Sequence, residues 1–259
     1  MKYPSILLLY SIFFAGANIV FAQVEKTSRF RAVAIAELGE NHGPYVRAGK
    51  VWLNKLASDS NFTVDYISDS KPINKEFLSH YQLFIQLDFP PYTWSKESEE
   101  AFKEYIEEGK GGWIGFHHPT LLGEFDGYPL WQWYSKFMGD IRFKAHIAGG
   151  TQGKVNVEDG SHPVMKDIPR SFTLKDEWYI YNQNPRPNVR VLATVDESSY
   201  DPPKNVKMGD HPVIWTNEKV KAKNVYVFMG HGPELFQDKV YTTLFRNCIF
   251  WAADSSKRN

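Results

Sequence analysis

Cysteine is almost missing from this chain. Cys248 is the only one among 259 residues, so no intramolecular disulfide can form and the fold must rest on its core. Net charge is missing too: Lys and Arg number 30, as do Asp and Glu. That balance offers nucleic acid or an anionic membrane surface no basic face. No Walker-type or GxGxxG glycine loop occurs, which removes the usual phosphate cradle, and no HExxH or paired ligand spacing occurs, so neither a metal nor a cofactor is expected. There is no internal repeat and no low-complexity linker; His162-Pro-Val164 and His211-Pro-Val213 match over three residues, too few for duplication.

Long apolar runs are confined to the N-terminus. Lys2 precedes a mostly apolar run from Ile6 to Val20, and Val20-Phe-Ala22 has the small-residue spacing of a cleavage site. The pattern predicts a secretory signal peptide over residues 1–22, a mature chain starting at Gln23, and a periplasmic or secreted address. The run falls short of the roughly 20 apolar residues a spanning helix needs, so no membrane association is expected after cleavage. Removing 22 residues from 259 leaves 237, and losing Lys2 leaves 29 basic residues against 30 acidic ones. That length suits one large α/β domain as well as two small ones, and a homo-oligomer is an open option.

What is present is an alternation of strand and helix patterns. Phe30–Ala36, Phe62–Ile67 and Leu83–Leu87 read as strands, and Pro44–Ala57 and Ser95–Glu108 as amphipathic helices between or after them. Gly109 stops the second helix, and Trp113-Ile-Gly-Phe116 follows as a short, fully buried strand that ends in His117, His118 and Pro119. Trp131–Met138 reads as a short aromatic helix. Lys154–Val157, Thr173–Tyr181 and Val189–Val195 read as further strands, some of them antiparallel edge pieces, and Ser199–Asp210 as a loop. Val213–Trp215 and Val225–Phe228 are late strands, and Val240–Ala253 is a closing helix. The alternation predicts an α/β fold with a mostly parallel sheet and helices on both faces.

The order of short motifs resembles the ThuA-like family, named for trehalose utilisation. The motifs are Gly111-Gly-Trp-Ile-Gly-Phe-His117, then His146, Gly160-Ser-His-Pro163, Asp176-Glu-Trp-Tyr179, Pro212-Val-Ile-Trp215, Gly230-His231 and Phe250-Trp-Ala-Ala253. The resemblance covers nearly the whole mature chain and implies one domain over residues 28–255. It also implies a flavodoxin-like fold of the class I glutamine amidotransferase type. Those enzymes carry a cysteine nucleophile at the strand-exit elbow; here the slot holds His117, which rules against thiol amidotransfer. Lys110 and His118 depart from the family pattern.

Candidate site residues follow from strand exits, where open α/β sheets bind ligands. His117 suits general acid/base work or metal ligation, because imidazole titrates near neutral pH. Adjacent residues on a strand face opposite ways, so one of Asp176 and Glu177 enters the cleft; the resemblance favours Glu177. His231, between Gly230 and Gly232, completes a catalytic set of His117, Glu177 and His231. His42, Asp88, His118, His146 and Trp178 are candidate substrate contacts. By the same alternation His118 should point away from His117. His162 and His211, each before proline, read as structural. The substrate class implied by the resemblance is a small-molecule carbohydrate, such as an oxidised keto-glycoside. The other reading is a non-catalytic sugar-binding module with Trp131, Trp133 and Trp178 as stacking surfaces; aromatics make up 15 % of the chain, which suits both a core and a sugar platform.

Overall fold

The computed structural model describes residues 28–36, 39, 42–122 and 127–254. The expected signal peptide lies outside them. In chain order the elements are β1 (Arg31–Ala36), α1 (Gly43–Ser60), β2 (Thr63–Ile67), α2 (Lys75–Ser79), β3 (Leu83–Leu87), α3 (Lys96–Glu107) and β4 (Gly112–Phe116). They continue with α4 (Gln132–Phe137), β5 (Phe143–Val157), β6 (Ser171–Tyr181), β7 (Arg190–Asp201), β8 (Pro212–Thr216), β9 (Asn224–Val227) and α5 (Lys239–Ala253).

Nine strands form one sheet in the order β2-β1-β3-β4-β9-β8-β7-β5-β6. β2, β1, β3, β4 and β9 pair in parallel. β9-β8-β7-β5-β6 pair antiparallel. Every residue of β3 and β4 is buried, as the continuous apolar runs require of strands covered on both faces. One face is covered by α1 and α5, where Phe116 meets Phe245 at 4.0 Å and Trp52 meets Phe245 at 4.9 Å between ring centroids. The other is covered by α3 and α4, through Phe84 on Phe102 at 5.2 Å and Trp113 on Phe137 at 5.1 Å.

Local chemistry sets the helix ends. The Ser95 hydroxyl accepts from Ser98 N–H at 3.1 Å, and Glu97 and Glu99 sit in the first turn of α3 where the helix dipole favours them. Gly109, at φ 69°, takes the left-handed position that lets the chain turn directly into β4. Among the described residues no helix is long and apolar enough to cross a membrane.

Two boundaries differ from expectation. The strand read at Lys154–Val157 is the tail of the fifteen-residue β5, and β7 runs on to Asp201, into the expected loop. For β5 the physical reason is a register shift between Ile147 and Thr151. It interrupts the period-two pattern that identifies a strand in sequence.

Candidate active site

Four strand exits converge. His42 precedes α1 after β1, Asp88 follows β3, His117 follows β4, and His231 lies four residues beyond β9. These four parallel strands are neighbours in the sheet, so their carboxyl ends share one edge. Glu177 arrives from β6 at the sheet's far end, and β9, β8, β7 and β5 lie between β6 and β4. The antiparallel half therefore curls back over the exits.

His117 is the centre. Its backbone has φ 62° and ψ −93°, a conformation that costs a non-glycine residue about 1–3 kcal/mol and needs support on every side. That support is present. The Tyr226 hydroxyl donates to the His117 carbonyl at 2.8 Å, and His117 N–H donates to the Val227 carbonyl at 3.1 Å. Gly230 is required for close approach, since a Cβ there would lie 2.6 Å from the His117 Cβ. This is an elbow in the physical sense: a strained turn that holds one side chain at a strand end.

The ring is fully buried and held at both nitrogens. Nδ1 faces the Phe228 carbonyl at 3.1 Å, so Nδ1 carries the proton. Nε2 then accepts from the Tyr179 hydroxyl at 2.7 Å. The ring meets both carboxylates of β6, with Asp176 Oδ1 3.6 Å from Nδ1 and Glu177 Oε2 3.5 Å from Nε2. Strand alternation set Asp176 aside, yet the one ring is in reach of side chains of both parities. Asp176 also accepts from Gly230 N–H at 3.0 Å and His231 N–H at 3.4 Å, fixing the turn that carries His231. Tyr179 has the same strand parity as Glu177, and that signal could have found it in the sequence.

Around this centre, His231 Nδ1 lies 3.1 Å from His42 Nε2 and 3.7 Å from Glu177 Oε2. The His231 side chain is 29 % exposed and Glu177 16 %, so these two open to solvent. His118 does not point away as expected. The left-handed turn at His117 and the 3-10 turn beginning at His118 put both rings on one side, 5.1 Å apart. His118 Nδ1 is 3.2 Å from Asp88 Oδ1. Burial, with the neighbouring His117 ring second, pushes its pKa well below the usual value and keeps it neutral. Asp88 is fully buried behind His118 and His42, so it holds the histidines and does not face the opening.

One expected substrate contact, Trp178, sits elsewhere. Trp178 is fully buried, donates to the Thr151 carbonyl at 2.8 Å and stacks on Phe228 at 5.4 Å, so it is a core residue. His146 is exposed and pairs across strands with Tyr179 at the rim. Trp131 and Trp133 pack with Phe102 of α3, each at 6.1 Å, which removes them as sugar platforms in the crevice. His211 is structural: its Nε2 donates to the Tyr179 carbonyl at 2.9 Å, behind the site. Cys248 is buried in α5, and burial pushes its thiol up, which keeps it inert. The cavity of about 750 Å³ between Arg29, Lys223, Arg246 and Trp251 lies at the opposite, amino-terminal edge of the strands and gathers no histidine. The chemistry, rather than cavity size, locates the site.

The two carboxylates titrate in opposite directions. Burial pushes Asp176 from the usual 3.8 up to about 7, against the pull of the Gly230 and His231 N–H groups. Burial also pushes Glu177 up, but the neighbouring His117, with His231 and His146, outweighs it and leaves about 2. Glu177 therefore contributes stability above its unfolded pKa, and that contribution is lost as pH falls from 4.5 toward 2. Asp176 works the other way. Between pH 3.8 and 7 the folded state keeps a proton the unfolded chain has released, so stability falls as pH rises, by up to about 4 kcal/mol. Thermal melts of wild type and Asp176→Asn in chelator-containing buffer check this. The variant should gain on the wild type steadily from pH 4 to 7, and parallel curves would refute the shift.

The family model for trehalose utilisation, ThuA, matches residues 32–252. No curated protein matches the chain. Among solved structures, a ThuA-like protein from Bacteroides uniformis shares 30 % identity, with 91 % of this chain and 96 % of that one covered and a TM-score of 0.79. A ThuA-like protein from Parabacteroides merdae shares 19 % identity over 86 % of this chain and 90 % of that one, with a TM-score of 0.65. A GMP synthase subunit from Thermoplasma acidophilum shares the fold, at 11 % identity, 86 % and 94 % coverage and a TM-score of 0.53. With the match running from β1 into α5, the chain belongs to the ThuA family, built on the glutamine amidotransferase-like fold.

Proposed function

We propose that this protein is an exported enzyme that acts on a small carbohydrate by proton transfer at the histidine–carboxylate crevice. The observation that carries the reading is the Tyr179–His117–Glu177 arrangement. It sets His117 Nε2, the acceptor of the Tyr179 hydroxyl at 2.7 Å, beside a carboxylate at 3.5 Å. His117 takes or returns the proton, Tyr179 relays it, and Glu177, held anionic, stabilises the imidazolium that forms. His231 and His146 line the mouth, where they can hydrogen-bond sugar hydroxyls. The carbohydrate class is supported by the family's description as a trehalose-utilisation family. An oxidised keto-glycoside suits acid–base chemistry, because a ketone acidifies the neighbouring C–H and one positioned base then suffices. Export rests on the N-terminal apolar run.

Purified protein with a panel of disaccharides and their 3-keto derivatives tests the proposal. Turnover of at least one member is expected. Saturable binding without turnover would instead establish a sugar-binding module, and neither binding nor turnover across the panel would end the carbohydrate assignment.

A further inference from the structure

The crevice contains more imidazole than proton transfer needs. Three nitrogens and one carboxylate oxygen face one small volume. His42 Nε2 is 3.1 Å from His231 Nδ1, which is 3.7 Å from Glu177 Oε2, which is 3.5 Å from His117 Nε2. Ligand atoms from these four residues all lie within 4.8 Å of one another. Ligands bound to zinc at about 2.1 Å in a tetrahedron stand about 3.4 Å apart, and the His42–His231 and His231–Glu177 spacings of 3.1 and 3.7 Å bracket that value. Two imidazole nitrogens at 3.1 Å can share one proton at most, and an ion between them satisfies both lone pairs.

The surroundings support the same reading. The remaining nitrogen of His42, Nδ1, has the Asp88 carboxylate behind it at 4.0 Å, and Asp88 is fully buried. A carboxylate behind a histidine is the usual outer support of a metal-ligating imidazole. Asp176 pins the His231 backbone through its N–H. His117 differs from the others. Its Nε2 is already taken by the Tyr179 hydroxyl at 2.7 Å, so it is the least available ligand.

We infer that His42, His231 and Glu177 bind a divalent transition-metal ion of the zinc type, with His117 facing the fourth, open position. Two histidines and one carboxylate with a water in the fourth place is a catalytic arrangement of zinc. The ion would polarise a substrate oxygen or its own water, and His117 with Tyr179 would move the proton beside it. The inference deepens the proposed function and rests on its choice of crevice, though not on its substrate. The expectation of a metal-free site came from the lack of a compact motif. That lack carries no weight once the ligands come from the exits of β1 and β9 and from β6, residues 42, 231 and 177.

The test is zinc uptake. Protein stripped with chelator, incubated with Zn²⁺ and dialysed should retain one ion per chain by elemental analysis. His42→Ala, His231→Ala and Glu177→Gln should each lower Zn²⁺ affinity at least tenfold in calorimetric titration, while His117→Ala should keep the ion. Co²⁺-loaded wild type should show the strong visible bands of a four- or five-coordinate site, a readout that needs no variant to fold. No stoichiometric uptake, affinity unchanged in those three variants, or the weak spectrum of a six-coordinate ion would overturn the inference. Loss of the ion in His117→Ala would overturn the three-ligand assignment. Turnover without ion binding would leave the enzyme reading standing and end this one; ion binding without turnover on the sugar panel would do the reverse.

Discussion

Replacing His117 with alanine is expected to cut turnover by about 10²–10⁴-fold per folded molecule, the range for losing one general acid or base. The same change is expected to weaken the fold. The ring is fully buried and satisfies both the Phe228 carbonyl and the Tyr179 hydroxyl. Each group left unpaired costs about 1–3 kcal/mol, and alanine at φ 62° relieves none of the backbone strain. A lower melting temperature should therefore accompany the kinetic loss. The two effects separate when rates are normalised to folded protein by near-ultraviolet circular dichroism. A variant that melts early yet turns over normally per folded molecule would reduce His117 to a structural residue.

Trp178→Ala is expected to produce the other large effect, and on stability alone. Truncating a fully buried tryptophan costs about 3–5 kcal/mol. Here the change also removes the donor to the Thr151 carbonyl and the stack on Phe228, with ring planes 6° apart. Denaturant titration should show the midpoint fall, with sugar affinity at low temperature unchanged in the molecules that remain folded. If affinity falls while the midpoint holds, Trp178 is a sugar platform after all. The pair of variants thus tests the division between crevice and core on either side of one tyrosine. Tyr179 is hydrogen-bonded to His117 at 2.7 Å and follows Trp178 directly in the chain.

Much was legible before any coordinates. The apolar run at Trp113–Phe116 read as a strand buried on both faces, and it is buried at every residue. The amphipathic pattern of Ser95–Glu108 announced α3, and the short motifs in order announced the family. The parallel half of the sheet was readable because each of its elements signals itself by local periodicity. Its carboxyl edge then gathers His42, Asp88, His117 and His231 by topology alone.

What sequence determined, then, is the parallel half and the residues at its edge. The curl that brings β6 across four intervening strands belongs to the tertiary structure, and with it came Tyr179 at 2.7 Å from His117 and Asp176 under the Gly230–His231 turn. Strand parity could not foresee Asp176, because parity says which face a side chain takes and not which distant turn packs against it. Nor could it foresee His118 beside His117, because alternation ends where φ turns positive. The coordination-like cluster is the plainest case. Its members, residues 42, 117, 177 and 231, are scattered over most of the chain. No sequence spacing encodes their meeting, which depends on the closure of non-local strand pairs.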